Sequence, residues 1–303
     1  MERAGCEKAM ISREEFLSGL SAALAGGRGY ATGKIGICEI QRLNYSILAA
    51  KLGKNHRLLK ALASHLIFHS LKQQALFPPE PDFYLRYNEF YVAEMRALDC
   101  LGVFPELMDR TLPVVKFFRL GMPLVAYLDQ EPDRSLPSRE DNCYLPYFEG
   151  KKLLLVCSFA ELLRERATED IFERVWAGTG KRWFHPKSVD ALEFPYGYSA
   201  TTHERYESSL KLYEEITAEM ASRDFDAALI GAAGLGIPLA AFAKKLGKAG
   251  ISLGGHLQVL FGILGKRWRA REDFRAYIND AWIDMPARYR PPETDIADGG
   301  AYW

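Results

Sequence analysis

Hydrophobic and polar positions along this chain keep helical spacing in some stretches and run together in others, and each change marks a predicted element. Residues 11–25 (ISREEFLSGLSAALA) place apolar side chains at helical spacing, and Ser12 opens them with Glu15 three residues later, the pattern of a capping box. Gly26, Gly27 and Gly29 close that helix. Residues 33–37 predict a short strand, followed by a helix over 39–52 that stops at Gly53. Another helix is predicted over 56–76, before Pro78, Pro79 and Pro81 break the chain, and a long one over 84–101, ending at Gly102. Residues 114–120 and 124–128 are strand-like apolar runs, and 129–140 (DQEPDRSLPSRE) is a polar loop. Residues 151–157 (KKLLLVC) lack polar alternation, as a strand buried on both faces does, and Ser158 can cap the next helix. An edge strand is predicted over 191–198 and a helix over 201–222, with Tyr206, Leu210, Tyr213 and Ile216 on its apolar face.

The most informative segment is 226–268 (DAALIGAAGLGIPLAAFAKKLGKAGISLGGHLQVLFGILGKRW). Two uncharged runs, 227–243 and 249–265, flank the basic linker Lys244-Lys245-Leu246-Gly247-Lys248. Each begins as an apolar strand and breaks at glycines: Gly231, Gly234 and Gly236 in the first, Gly254 and Gly255 in the second. Glycines at strand ends let backbone N–H groups approach anionic oxygens at a helix N-terminus. Strands alternating with helices through most of the chain predict an α/β fold with a doubly wound, mostly parallel sheet.

Composition narrows the function classes. With 303 residues and 48% apolar content, the chain can bury a sizeable core, so long disorder is not expected. Lys and Arg (39) balance Asp and Glu (39), which argues against bulk electrostatic binding of nucleic acid or an anionic membrane. The five cysteines (Cys6, Cys38, Cys100, Cys143, Cys157) form no C-x-x-C pair, which excludes a zinc knuckle and suits a reduced cytoplasm. Residues 1–10 (MERAGCEKAM) lack the apolar core of a signal peptide. The uncharged runs are short for membrane spans and interrupted by glycines, Pro238, His256 and Gln258, so no transmembrane segment is expected.

Candidate chemistry follows from position. In Gly231-Ala232-Ala233-Gly234-Leu235-Gly236 the glycines stand at 0, 3 and 5, not in the dinucleotide G-x-G-x-x-G, and the second strand ends in Ser252-Leu253-Gly254-Gly255 without an acidic residue for a ribose. NAD is disfavoured, while another phosphate-bearing nucleotide is not; tight strand–helix packing is the alternative use of these glycines. His256 and Gln258 follow the second turn, where a histidine can donate to a phosphate or sugar hydroxyl or be a satisfied structural residue. Lys266-Arg267-Trp268-Arg269, with Arg271, is the dense basic cluster, suited to phosphate contact, with a solvated helix start around a buried Trp as the alternative. Glu39 lies where the first strand meets its helix; it can be a base, a metal ligand or a carboxylate stabilised by the helix dipole. Asp99 is read as a cap or paired charge. Glu131, Asp133 and Glu140 crowd a loop that is either a lid or solvent-exposed, and His185 and His203 lack metal-ligand spacing.

Residues 229–268, together with GKIGICE (33–39) and FEGKKLLLVCSFAELL (148–163), resemble bacterial glycosyltransferases of the GT-D type, found among surface-polysaccharide and adhesin-glycosylation proteins. The ending in Tyr302-Trp303, preceded by Glu293, resembles one branch of that family. The resemblance implies a Rossmann-like three-layer sandwich over 11–303, with an N-terminal half (11–130) carrying the Glu39 motif and a Rossmann-like half (151–290) carrying the glycine turns. It also implies a nucleotide-sugar donor, a carbohydrate or glycosylated acceptor and a divalent metal (Mn or Mg). Donor binding would fall to Gly231, Gly234, Leu235, Gly236, Gly254, Gly255, His256, Gln258, Lys266 and Arg267. Glu39 would be the catalytic and metal-linked carboxylate. The family's Asp-x-Glu motif has Ile37 in place of its Asp here. That departure opens an alternative: a nucleotide-sugar-binding protein of the same fold with impaired catalysis.

Overall fold

The computed structural model describes residues 10–132, 144–291 and 297–303; Cys6, Asp133, Glu140, Cys143 and Glu293 lie outside the described residues. Eight parallel strands form one sheet in the order β1-β4-β3-β2-β8-β7-β5-β6. They are β1 (Met10–Ile11), β2 (Tyr30–Lys34), β3 (Cys100–Val103), β4 (Leu124–Ala126), β5 (Lys152–Cys157), β6 (Ser188–Leu192), β7 (Ala227–Gly231) and β8 (Ala249–Ser252). Both halves of the chain supply strands, joined where β2 pairs with β8.

Helices cover both faces, giving a Rossmann-like three-layer α/β sandwich. One face holds α1 (Arg13–Ala25), α6 (Ala160–Arg166), α7 (Glu169–Val175), α11 (His256–Leu260) and the end of the chain. The other holds α2 (Ile37–Leu52), α3 (Arg57–Phe68), α4 (Pro81–Met95), α5 (Met108–Phe117), α9 (Ser209–Ser222) and α10 (Gly236–Lys245). The short α8 is Ala200–Arg205. Along β5, Leu153 and Leu155 pack into the first layer while Leu154 and Val156 pack into the second, the period-two alternation of a strand buried on both sides. Connections from β1 to β2 and from β5 to β6 run one way along the sheet over the first face. Those from β2 to β3, β3 to β4, β6 to β7 and β7 to β8 run the other way over the second face. Direction and face change together, as a constant crossover hand requires. Past β8, β9 (Ile263–Leu264) pairs with β10 (Ile283–Asp284), and α12 (Lys266–Arg269) and α13 (Glu272–Arg275) lie between them in sequence.

Several sequence expectations shift. The capping box holds: Ser12 accepts from the Glu15 N–H at 3.1 Å, and Glu15 accepts from the Ser12 N–H at 2.8 Å. The first interior strand spans Tyr30–Lys34, so Ile37 opens α2 instead of closing a strand. The helix expected over 84–101 is α4 followed by β3; Asp99 separates them, its carboxylate accepting from Ala31 N–H at 2.8 Å and pairing with Lys244. Residues 114–120 fall in and just after α5, whose buried Met108, Thr111 and Val114 keep helical spacing. A π-helical turn (His69–Gln73) ends the helix expected over 56–76, and 201–222 divides into α8 and α9. Ser158 does not cap α6, whose N-cap is Phe159. No helix among the described residues is long and apolar enough to cross a membrane.

Candidate functional site

The connection after β5 leaves toward β6, and the connection after β7 leaves toward β8. Two crossovers that diverge from neighbouring strands open a crevice at the strands' C-terminal ends, where α/β sheets bind ligands. A cavity lies there. Its floor comes from Ser158, Gly231–Ala233, Gly254 and Gly255, brought together because Cys157 pairs with Gly231 and Ile230 with Ser252. Its walls are mainly aromatic: Phe159, Phe194, Tyr196, Tyr198, Tyr302 and Trp303. Tyr196 and Tyr198 stack with centroids 5.4 Å apart, and Trp303 meets Tyr196 edge-on at 5.1 Å. Flat apolar walls over a glycine floor accept a planar ring or a sugar face. Ala233, in the floor, has a φ of 43°, a left-handed conformation unusual for a residue with a Cβ.

The predicted donor-binding residues divide. Gly231, Leu235, Gly254 and Gly255 line the cavity. Gly234 does not: its N–H donates to Gln74 O at 2.9 Å, its carbonyl accepts from Tyr87, and a Cβ there would meet Leu76 at 2.8 Å. Gly236 lets α10 approach β8, since a Cβ would lie 2.4 Å from Ser252 Oγ. For these two glycines, close packing is the physical explanation. Gln258 is buried, and its Nε2 donates to Tyr302 O at 3.0 Å, so it holds the chain's end against the site instead of facing a ligand. Lys266 and Arg267 are both exposed and neither lines the cavity, but Arg267 stands 5.1 Å from the centroid of the Tyr302 ring, which does. Gly255 belongs to the same corner, where an added Cβ would lie 3.0 Å from Tyr302 and 3.7 Å from Arg267 Nη1. Burial pushes the Tyr302 phenol up although Arg267 opposes it, so Tyr302 stays neutral at pH 7.

Beyond this corner lies a buried polar cluster that the sequence pattern does not reveal. Glu131 is 5% exposed and receives Lys34 on one carboxylate oxygen and His256 Nδ1 on the other, the latter at 2.8 Å. It is neither a lid residue nor a solvated charge. Arg13 Nη1 donates to the carbonyls of Asp129 and Glu131, and Tyr144 to that of Gln130, fixing the segment. Burial would raise the Glu131 carboxyl, but His256 and Lys34 outweigh it and hold the group below its ordinary value. Lys34 also sits 4.4 Å from the centroid of Tyr127, whose ring stacks on Phe104 at 3.8 Å. Lys34 lowers the Tyr127 phenol, yet burial and the carboxylates of Glu131 and Glu39 leave it above its usual value. His256 is therefore a buried partner of Glu131, packed edge-on to Trp268, and not a residue facing the cavity.

Glu39 occupies the third residue of α2, and its Oε2 accepts from the Gly36 N–H at 2.8 Å. This is the helix-capping role allowed for a carboxylate in a first turn. The described residues contain no group of three His, Cys, Asp or Glu able to hold a metal, and His203 Nε2 is instead 2.8 Å from Gly197 O. With Ile37 beside Glu39 and cationic Lys34 on Glu131, this donor set does not fit a divalent metal held by the protein alone.

Two signals were present for the missed residues: Lys34 is the one charged residue of the strand Tyr30–Lys34, and the aromatic wall is concentrated in Phe194-Pro195-Tyr196-Gly197-Tyr198. Compared with known proteins, the chain matches no family model, no curated protein and no solved structure at a significant level.

Proposed function

We propose that the chain is a glycosyltransferase of the GT-D type, moving a sugar from a nucleotide-sugar donor to a carbohydrate or glycosylated acceptor. One observation carries the reading: the aromatic-walled cavity stands at the topological switch point, floored by both glycine turns, with the exposed Arg267 5.1 Å from the Tyr302 ring that forms part of its wall. A nucleobase or sugar ring would lie against Tyr196, Tyr198 and Trp303. The diphosphate would approach Gly254 and Gly255, where Arg267 neutralises charge on the leaving phosphate as the glycosidic bond breaks. The buried Lys34–Glu131–His256 cluster holds the adjoining sheet ends in place. Glu39, which caps α2 and is not among the cavity-lining residues, enters this reading as the carboxylate of the reacting end through the family resemblance alone.

Calorimetric titration with a panel of nucleotide-sugars, with and without Mn²⁺, tests this. Binding of at least one donor in the millimolar range or tighter, followed by transfer or hydrolysis, is expected. No binding across the panel sinks it.

The capped Glu39 and the neighbouring Ile37 favour a second reading, a nucleotide-sugar-binding protein without turnover. Here donors bind but are not consumed, with or without Mn²⁺ or Mg²⁺. Ile37→Asp would then introduce metal-dependent donor hydrolysis, measured as released nucleotide. Turnover by the unaltered chain would rule this reading out.

A further inference from the structure

A second cavity lies on the α2–α3 side of the molecule, away from the aromatic walls. Ile40, Tyr45, Leu48, Leu62 and Leu66 give it an apolar lining, and Arg42 and Ser70 complete its wall. Those two residues are 1% and 0% exposed. The Arg42 guanidinium has only neutral partners: Nε donates to Gln74 Oε1 at 3.0 Å, Nη1 to Asn88, and its plane lies 4.9 and 4.5 Å from the Tyr87 and Tyr91 centroids. Among the described residues no carboxylate forms an ion pair with it, Glu39 one turn earlier on α2 included. Four polar atoms around this point lack a hydrogen-bond partner: Arg42 Nη2, Ser70 Oγ, Gln74 Nε2 and Gln41 Oε1.

A buried permanent cation without a counter-charge is far more costly than two ring faces can offset. Arginine cannot escape by losing its proton. Three of the four unpartnered atoms belong to groups that can donate, and an anion would accept from them. The π-helical turn that carries Ser70 is a local departure of the kind often kept at binding sites. His65, His69 and Arg110 also line the cavity, and the Arg110 guanidinium adds positive potential for an anion.

We infer that this cavity binds an organic anion with an apolar body, its carboxylate or phosphate monoester meeting Arg42 and Ser70 and its body lying along Leu48, Leu62 and Leu66. The inference is independent of the nucleotide-sugar reading and stands if that reading fails.

Calorimetry on the full chain with octyl phosphate, octanoate and octanol, each below its micelle or solubility limit, tests it. At least one anion should bind tenfold or more tightly than octanol; octyl phosphate alone or octanoate alone identifies the head group, and both together place the selectivity in the charge. Arg42→Gln should reduce anion binding at least tenfold. Leu62→Trp and Leu48→Trp, made separately to fill the cavity from partly buried wall positions, should abolish binding in a variant whose melting temperature is unchanged. Should Arg42→Gln fail to fold, the octanol comparison and the tryptophan variants decide. No anion binding, octanol binding as tightly as the anions, or binding undiminished in folded tryptophan variants overturns the inference.

Discussion

At the scale of single residues, Glu131 is the side chain on which most of the buried charge depends. It faces Lys34 and His256 at once, and removing it takes a buried carboxylate away from both. Glu131→Ala should destabilise the fold by about 3–5 kcal/mol in urea denaturation, and Glu131→Gln by less, because an amide oxygen still accepts from Lys34. The pH dependence has a definite sign. The folded carboxyl titrates below its ordinary value of 4.5, so its contribution is complete above that pH and is lost as pH falls through the lower folded value. Melting temperatures from pH 3 to 7 should therefore drop at the acid end in the parent chain, with a smaller drop in Glu131→Gln. Arg267 makes a separate prediction. If it meets a diphosphate, Arg267→Ala should weaken nucleotide-sugar binding roughly ten- to a hundredfold, the range of hydrogen bonds to charged groups of about 1.5–3 kcal/mol. Arg267→Lys should fall between, having lost the forked geometry. Equal affinity in all three proteins would remove Arg267 from the donor site. Neither role follows from residue type alone: Glu131 stands in a polar loop segment, and only its contacts across the sheet reveal its burial.

At the scale of elements, glycines with similar sequence surroundings do different jobs. Gly250 lies in β8 under α10, where an added Cβ would meet Ala240 O at 2.4 Å and its Cα at 2.7 Å. Neither atom can move without shifting the helix, so Gly250→Ala should cost about 1–3 kcal/mol by overpacking. Gly254 has open space around its missing Cβ but a φ of 58°. Gly254→Ala should cost about 1–2 kcal/mol through the left-handed backbone alone, and should weaken ligand binding in the cavity it lines. Thermal unfolding paired with calorimetry separates the two: Gly250→Ala lowers stability while the affinity of the folded fraction is kept, and Gly254→Ala lowers both. The elements themselves were legible where period and punctuation agreed, as in α1 with its capping box, the buried β5, and the β7-α10-β8 unit. They were misread where tertiary contacts override pattern. Residues 100–103 continue an apolar helical rhythm, yet pairing with Thr32–Lys34 makes them a strand. Residues 114–117 look strand-like in isolation because Val114 and Val115 are β-branched, but α5 needs them to cover the sheet.

For the whole molecule, the strand order explains why the cavity has the walls it has. The doubly wound parallel sheet was readable from alternating elements, but the order of its strands was not, and that order sets which loops meet. Cavity residues come from positions 75, 158–159, 194, 196–198, 212, 231–233, 235, 254–255 and 302–303, so the site exists only in the folded chain. A ligand held there binds the native state and not the unfolded one. At a free concentration one hundred times its dissociation constant it adds about 2.7 kcal/mol of stability. With roughly 2–4 °C per kcal/mol for a domain of up to about 250 residues, a bound nucleotide-sugar should raise the melting temperature by several degrees. Trp303 makes the test specific to this cavity, because it is 9% exposed and forms a wall remote in sequence from Gly231, Gly254 and Gly255. Trp303→Ala should lower the ligand-free melting temperature and also shrink the ligand-induced shift, since loss of one stacking surface weakens binding by about 1–3 kcal/mol. A full shift retained in Trp303→Ala would place the nucleotide elsewhere, whatever the variant does to stability. Leu62→Trp, in the other cavity, should leave the nucleotide-induced shift intact, which keeps the two sites experimentally separable.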